Sequence, residues 1–184
     1  MRVIAGISKG MRLKSPKGLE TRPTTDRVKE SIFSMINPYI IDSVVLDLFS
    51  GTGSLGIEAL SRGAEKAYFV DCNKNSIKVI KENIAYTRLE EKSTVLFCDA
   101  HRAIKELALG TNKIDIIFMD PPYLKGLIIP SIDAIEKEEI LNKEGIILVE
   151  HDLKDSLPEY IGKFMKRKEK KYGNTLITIY AKEA

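Results

Sequence analysis

Asp120, Pro121, Pro122 and Tyr123 close the run "KIDIIFMDPPY", and these residue types in this order are those of an active-site wall. Neither proline has an N–H to donate, so neither can continue a sheet ladder. Pro121 also holds Asp120 out of the helical region. An apolar, buried-looking strand therefore stops on a carboxylate, a rigid backbone with free carbonyls, and an aromatic ring. The ordinary alternative is a strand that merely ends at a turn. Ending a strand requires neither this acid nor this aromatic.

A second constellation lies upstream. In "LDLFSGTGSLGIEAL", Gly51, Gly53 and Gly56 make a G-x-G-x-x-G turn after an apolar run. Glycines there permit a tight turn and close approach of backbone N–H groups to a ligand. Nucleotide-dependent dehydrogenases share that spacing. The acids discriminate. Asp47, Asp71, Asp99, Asp120 and Glu150 each fall at or near the end of one of five apolar runs. In an open α/β sheet such ends line the ligand crevice. A pyrophosphate is an awkward guest among five carboxylates. S-adenosylmethionine carries a sulfonium, an ammonium, two ribose hydroxyls and an adenine amine, and no phosphate. Acceptors suit it.

The elements that must position these residues are legible as pattern. "SVVLDLF", "KAYFVD", "STVLFCD", "KIDIIFMD" and "EGIILVEHD" are nearly continuous apolar runs, the mark of strands buried on both faces. Helical patterns separate them. One runs from Ser54, a plausible cap, to Arg62 and stops at Gly63. Another follows Asn73 and stacks Ile77, Ile80 and Ile84 on one stripe. This alternation predicts right-handed crossovers and a parallel, doubly wound sheet. Before it, "RVIAG" and "MRLKSP" read as a small hairpin. A helix bearing Val28, Ile32, Met35 and Ile36 on one face follows, capped by Thr24, Thr25 or Asp26. "KFMKRKEKKY" and "TLITIYA", joined through Gly173-Asn174, predict a closing antiparallel pair.

Composition narrows the class. The 184 residues, 43% hydrophobic and 30% charged, suit one ordinary globular domain. No apolar run reaches the roughly 18 residues that span a bilayer, and the first residues lack a signal-peptide core. A cytoplasmic location is expected. Cys72 and Cys98 have no partner at metal-ligand spacing and read as small buried residues; His101 and His151 are isolated, so no metal site is expected. The net charge of +3 conceals +5 in residues 1–30, +5 in residues 161–184, and −7 between them. Basic ends on an acidic centre suit a chain that grips a polyanion around a pocket for a cationic guest.

The two motifs together, "DLFSGTGSLGIEAL" and the downstream "DPPY", resemble those of S-adenosylmethionine-dependent N-methyltransferases. "RVIAG" followed by "RPTTDRVKESIF" narrows the resemblance to the bacterial family that methylates the N2 amine of a guanine in 16S ribosomal RNA. It extends from Arg2 to about Tyr180. "DPPY" alone is shared with adenine-amine DNA methyltransferases. "RPTTDRV" is the more specific mark.

The resemblance implies a Rossmann-like class I methyltransferase. Its sheet would be seven-stranded and mostly parallel, with an antiparallel C-terminal strand and a small N-terminal β-hairpin. Residues 1–184 would form one methyltransferase domain, with 1–20 as hairpin extension and 21–184 as catalytic core. Gly51 and Gly53 would approach the methionine part of the cofactor, with Asp47 beneath the loop. Asp71 would take the ribose hydroxyls, and Asp99 with the Ala100 backbone the adenine. Asp120, Pro121, Pro122 and Tyr123 would form the target-base site. Arg2, Lys9, Arg12, Arg22 and Arg27 are candidate RNA contacts. For Arg22, Thr24, Asp26 and Arg27, capping and surface pairing explain the residues as well as RNA or cofactor contact does. The partner implied is 16S ribosomal RNA, within a small-subunit assembly, met by a monomer. Competing readings are an adenine-N6 DNA methyltransferase, an NAD-dependent oxidoreductase and a non-catalytic RNA-binding module. A chain of 184 residues leaves little room for the large sequence-reading domain of the first.

Overall fold

A computed structural model describes residues 1–15, 25–111 and 113–183. Among these residues eight strands form one sheet in the order β3-β2-β1-β4-β5-β8-β7-β6. They are β1 (Val44–Asp47), β2 (Lys66–Asp71), β3 (Ser93–Phe97), β4 (Ile114–Met119), β5 (Leu141–Asp152), β6 (Tyr160–Ile161), β7 (Phe164–Tyr172) and β8 (Thr175–Lys182). The first five are mutually parallel, and β8, β7 and β6 add antiparallel. The helices are α1 (Asp26–Ile36), α2 (Ser54–Ser61), α3 (Lys74–Thr87), α4 (Ala100–Ala108) and α5 (Ile128–Lys137).

Alternation along the strands explains the layering. On β4, Ile116 and Phe118 enter the core shared with α1, α2 and α3, while Ile117 and Met119 enter the core shared with α4 and α5. The crossovers α2 and α3 thus lie on one face and α4 and α5 on the other. Their direction reverses between β1 and β4, which is where such sheets open a ligand crevice.

Several expectations are corrected. The sheet has eight strands rather than seven, because Tyr160–Ile161 pairs with Phe164 and Met165 across a two-residue turn. At the amino end the expected antiparallel pairing is present but short: Arg2 and Arg12 form a bridge, Val3 donates to the Met11 carbonyl at 3.0 Å, Gly10 to the Val3 carbonyl at 2.8 Å, and Leu13 to the Met1 carbonyl at 3.0 Å. Competition for donors keeps it short. Ile4 and Ala5 donate their N–H groups to the Glu58 carboxylate at 2.8 and 3.0 Å, and Ile7 donates to the Ser61 carbonyl at 2.9 Å. Those N–H groups bind α2 instead of a partner strand. Ser54 is the first helical residue of α2 rather than its cap; Gly53, at φ 77°, holds the cap position. Thr25 caps α1 through the Val28 N–H. The stripe after Asn73 and the closing β7–β8 pair are as expected. The strand β3 is less covered than a strand buried on both faces, since it lies at the sheet edge.

The helix α1 buries Lys29 together with Ile32, Phe33 and Ile36. Lys29 has no solvent exposure, and its ammonium donates to the Arg2 carbonyl, to Ser54 Oγ at 3.1 Å and to Glu58 Oε2 at 3.3 Å. Arg62 Nε completes the shell of Glu58 at 2.8 Å, and its guanidinium lies over the Phe33 ring. Burial pushes the Lys29 pKa down, and Glu58 opposes that shift. Removing one member of a buried pair strands the other charge, at a cost of about 3–5 kcal/mol. Glu58→Ala is therefore expected to lower unfolding free energy by about that much. Lys29→Met with Glu58→Met should cost clearly less than the sum of the two single changes. Denaturant titration of the four proteins checks this, and strict additivity would show that the two side chains do not interact.

Candidate active site

The carboxyl ends of β1, β2 and β4 and the starts of α2 and α4 surround a cavity of about 980 Å³. Its glycine loop is stapled to the sheet by Ser50. That hydroxyl donates to the Asp47 carbonyl at 2.7 Å and accepts from the Val70 N–H at 2.9 Å. The Gly51 N–H donates to Asp71 Oδ2 at 2.9 Å, so Asp71 orders the loop while facing the cavity. Its other oxygen accepts from the Asn73 N–H at 2.8 Å. Gly53 turns the chain at positive φ, and Gly56 is required for contact, since a Cβ there would meet the Phe69 ring at 2.4 Å. Asp99 caps α4 through the Arg102 N–H at 2.9 Å, and Ala100 follows it in the lining.

Asp47 lies beneath this loop, with Oδ2 accepting from the Gly56 N–H at 3.1 Å. Burial raises its pKa to about 7, the Gly56 N–H pulls it back, and the neighbouring Asp71 charge raises it further. Asp120 follows the last residue of β4. Its pKa is pushed well above the ordinary carboxylate range, first by burial and then by Glu150 and Asp47. Pro121, Pro122 and Tyr123 continue the same wall. The next residue, Leu124, is 59% exposed and sits at φ 57°. That left-handed conformation costs a side-chain-bearing residue about 1–2 kcal/mol. Its N–H reaches Asp155 Oδ2 at 3.5 Å.

The structure brings Asp47, Gly51, Asp71, Asp99, Ala100 and Asp120 to one cavity with Pro121, Pro122 and Tyr123; Gly53 shapes the loop just behind it. Glu150 is the exception. It lies inside β5, is buried, and meets Asp120 from below, because Met119 pairs with Val149 and the next step brings the two acids side by side. Asp152, two residues on, lines the cavity instead. The i, i+2 alternation of "EHD" was the available signal. Cys72 and Cys98, expected buried, are exposed and partly exposed, since each lies just past its strand and lines the cavity. Sequence reasoning also missed Met1, whose sulfur accepts from Thr52 Oγ1 at 3.5 Å.

Of the candidate RNA contacts, Arg2 pairs with Asp26 at 2.8 Å, which draws Arg2, Arg12 and the exposed Arg27 into one neighbourhood. Lys9 belongs to the turn that packs on Ser61, at the end of α2 remote from the glycine loop. Arg22 and Thr24 lie outside the described residues. Among the described residues no group of three or more His, Cys, Asp or Glu is placed to hold a metal ion, and no helix is long and apolar enough to cross a membrane.

The fit to a cationic guest is direct. Among the described residues five aspartates line the cavity (Asp47, Asp71, Asp99, Asp120 and Asp152), and none of its lining residues is Lys or Arg. Such a wall offers acceptors to ammonium, sulfonium, hydroxyl and amine groups, and no counter-charge to a phosphate.

Comparison with known proteins agrees with this architecture. Residues 1–181 match the family model described as "Conserved hypothetical protein 95". The chain is 43% identical over 182 residues to "Putative rRNA methyltransferase YlbH" of Bacillus subtilis (strain 168), covering 99% of each. It is 33% identical to "Ribosomal RNA small subunit methyltransferase D" of Escherichia coli (strain K12), covering 100% of this chain and 91% of that one. A solved structure titled "Putative methyltransferase yhhF from Escherichia coli" superposes with a TM-score of 0.86 at 33% identity, over 100% of this chain and 98% of that one. The Rossmann-like class I expectation is borne out, with the strand count amended.

The raised carboxyl groups fix the sign of a pH effect. Folded Asp47 keeps its proton up to about pH 7, while the unfolded chain releases it near 3.8. Between those values folding takes up a proton, so stability is greatest at the acid end, falls as pH rises through the window, and levels above pH 7. The full span is worth at most about 4 kcal/mol, and Asp120 acts in the same direction. Asp47→Asn is expected to flatten the decline in denaturant-unfolding free energy between pH 5 and pH 8. Equal slopes in the two proteins would show that Asp47 ionises normally.

Proposed function

Because the chain belongs to the family described as "Conserved hypothetical protein 95", in company with ribosomal RNA small subunit methyltransferase D, we propose that it is an S-adenosylmethionine-dependent methyltransferase of ribosomal RNA. More narrowly, we propose that it methylates the exocyclic N2 amine of a guanine in 16S ribosomal RNA, presented in a small-subunit particle. The carrying observation is the cavity with five acid groups and no described Lys or Arg, ending on Asp120 and its two prolines.

S-adenosylmethionine supplies a methyl group made electrophilic by its sulfonium. Gly51 and Gly53 leave room for the methionine part of that ligand, Asp47 supports the loop, and Asp71 takes ribose hydroxyls. Asp99 and the Ala100 backbone take the adenine. On the other side, the Asp120 carboxylate and the Pro121 carbonyl accept the two N–H groups of the target amine. That orientation turns the nitrogen lone pair, otherwise delocalised into the ring, toward the methyl. Tyr123 stacks on the base once it is turned out of its neighbours. Positioning and complementarity to positive charge developing on nitrogen supply most of the acceleration. A carboxylate with a raised pKa is also the better proton acceptor after transfer. Arg2, Arg12 and Arg27 supply phosphate contacts, so binding should weaken steeply with salt.

Asp120→Ala is expected to lower methyl transfer by about 100-fold or more while S-adenosylmethionine affinity, read by calorimetry, stays unchanged. Near-normal turnover would remove Asp120 from the chemistry. Asp71→Ala should do the reverse, weakening the cofactor by about tenfold or more through lost hydrogen bonds to a charged group. The substrate is tested with labelled S-adenosylmethionine and small ribosomal subunits from cells lacking this protein, followed by mapping of the modified base. Label on an adenine would favour the N6 alternative, and label on protein alone would refute the RNA assignment.

A further inference from the structure

Behind the Asp120 wall lies a second hollow, of about 180 Å³, which shares Pro121, Pro122 and Leu127 with the main cavity. Its rim is apolar, formed by Leu124, Leu127 and Ile129, which are 59%, 38% and 41% exposed. The side chains of Lys125 and Lys154 flank it, and Asp155 is engaged with the Leu124 N–H. Leu124 stands apart in backbone terms. Among the described residues, the other non-glycine residues at positive φ are Asp42, Arg88 and Glu139. All three are polar; Arg88 and Glu139 end helices, and Asp42 sits in the turn before β1. Leu124 ends no helix and covers no core. A bulky apolar side chain is held out in solvent, in a conformation that glycine would adopt freely, immediately after the residues assigned to the target base.

Resting on the RNA methylation reading, we infer that this hollow seats the nucleotide next to the target, with Leu124 wedged between the two bases. Three observations select that occupant over a protein segment or a second copy of the chain. The hollow is separated from the target-base site only by the Pro121–Pro122 wall, so a neighbour on the same strand meets it without a detour. Its volume of about 180 Å³ is enough to admit one ring system. Two lysines at an apolar rim match a stacked base with a phosphate on either side. Apolar wedges between base steps are a general means of unstacking a nucleotide that must leave the helix. Leu124 is here a positioning residue, acting on the stack rather than on the reacting atoms.

The test uses the full chain, labelled S-adenosylmethionine and small ribosomal subunits from cells lacking the protein. Leu124→Gly relieves the backbone and removes the wedge, so its thermal midpoint should hold or rise while methyl transfer falls about tenfold. Leu124→Met, which restores an apolar side chain, should recover most of the transfer. Lys125→Ala with Lys154→Ala should reduce the slope of log affinity against log salt by about two. Transfer by Leu124→Gly equal to the parent would overturn the wedge, as would a joint fall of stability and transfer that Leu124→Met fails to reverse. Failure of the parent chain to methylate any RNA would instead overturn the activity on which the inference rests.

Discussion

The carboxylate of Glu58 fixes how the amino-terminal part of the chain sits on the sheet. Fully buried on α2, it accepts from two backbone N–H groups of the first segment, from Lys29 on α1 and from Arg62 one turn along its own helix. A buried charge is tolerable only when its oxygens are satisfied. Three pieces of chain that share no strand are therefore held in one arrangement by one side chain. The active site inherits that arrangement. Lys29 reaches Ser54 at the head of α2, and the segment that begins at Met1 returns to Thr52 on the glycine loop.

At the site itself the governing constraint is electrostatic. Crowding acids where the crossover direction reverses creates a well that repels anions and raises the proton affinity of its most buried members, Asp47 and Asp120. Such a well is costly to hold fully ionised while empty of positive charge. Arrival of a cation relieves that cost, so ligand charge and carboxyl protonation are linked.

Much of this was legible in the chain because parallel strands buried on both faces write themselves as unbroken apolar runs, and the five parallel strands appear where those runs lie. The glycine loop and "DPPY" carry their own backbone logic. What escaped did so for physical reasons. The strand β6 is two residues long and has no period to detect. Lys29 reads as one of many surface lysines, because the partner that buries it lies on another helix. Glu150 and Asp152 share one face of β5 and differ only in how far along it they sit, a depth that cannot be counted until the strand's end is known. Cys72 and Cys98 look like core residues because they follow apolar runs, yet each lies one step past the sheet. The amino-terminal segments do pair as their composition suggests, but Ile4, Ala5 and Ile7 turn their donors to α2, and that shortening is not legible in the chain.

One close approach in the fold also constrains its history. Position 56 has no room beyond hydrogen because the Phe69 ring of the neighbouring strand lies against it. A larger residue at 56 demands a smaller one at 69, and a smaller one at 69 by itself leaves a void under the glycine loop. Across descendants of this chain the two positions are expected to drift as a correlated pair, so that the third glycine of the motif records the width of an aromatic ring rather than the chemistry of the ligand.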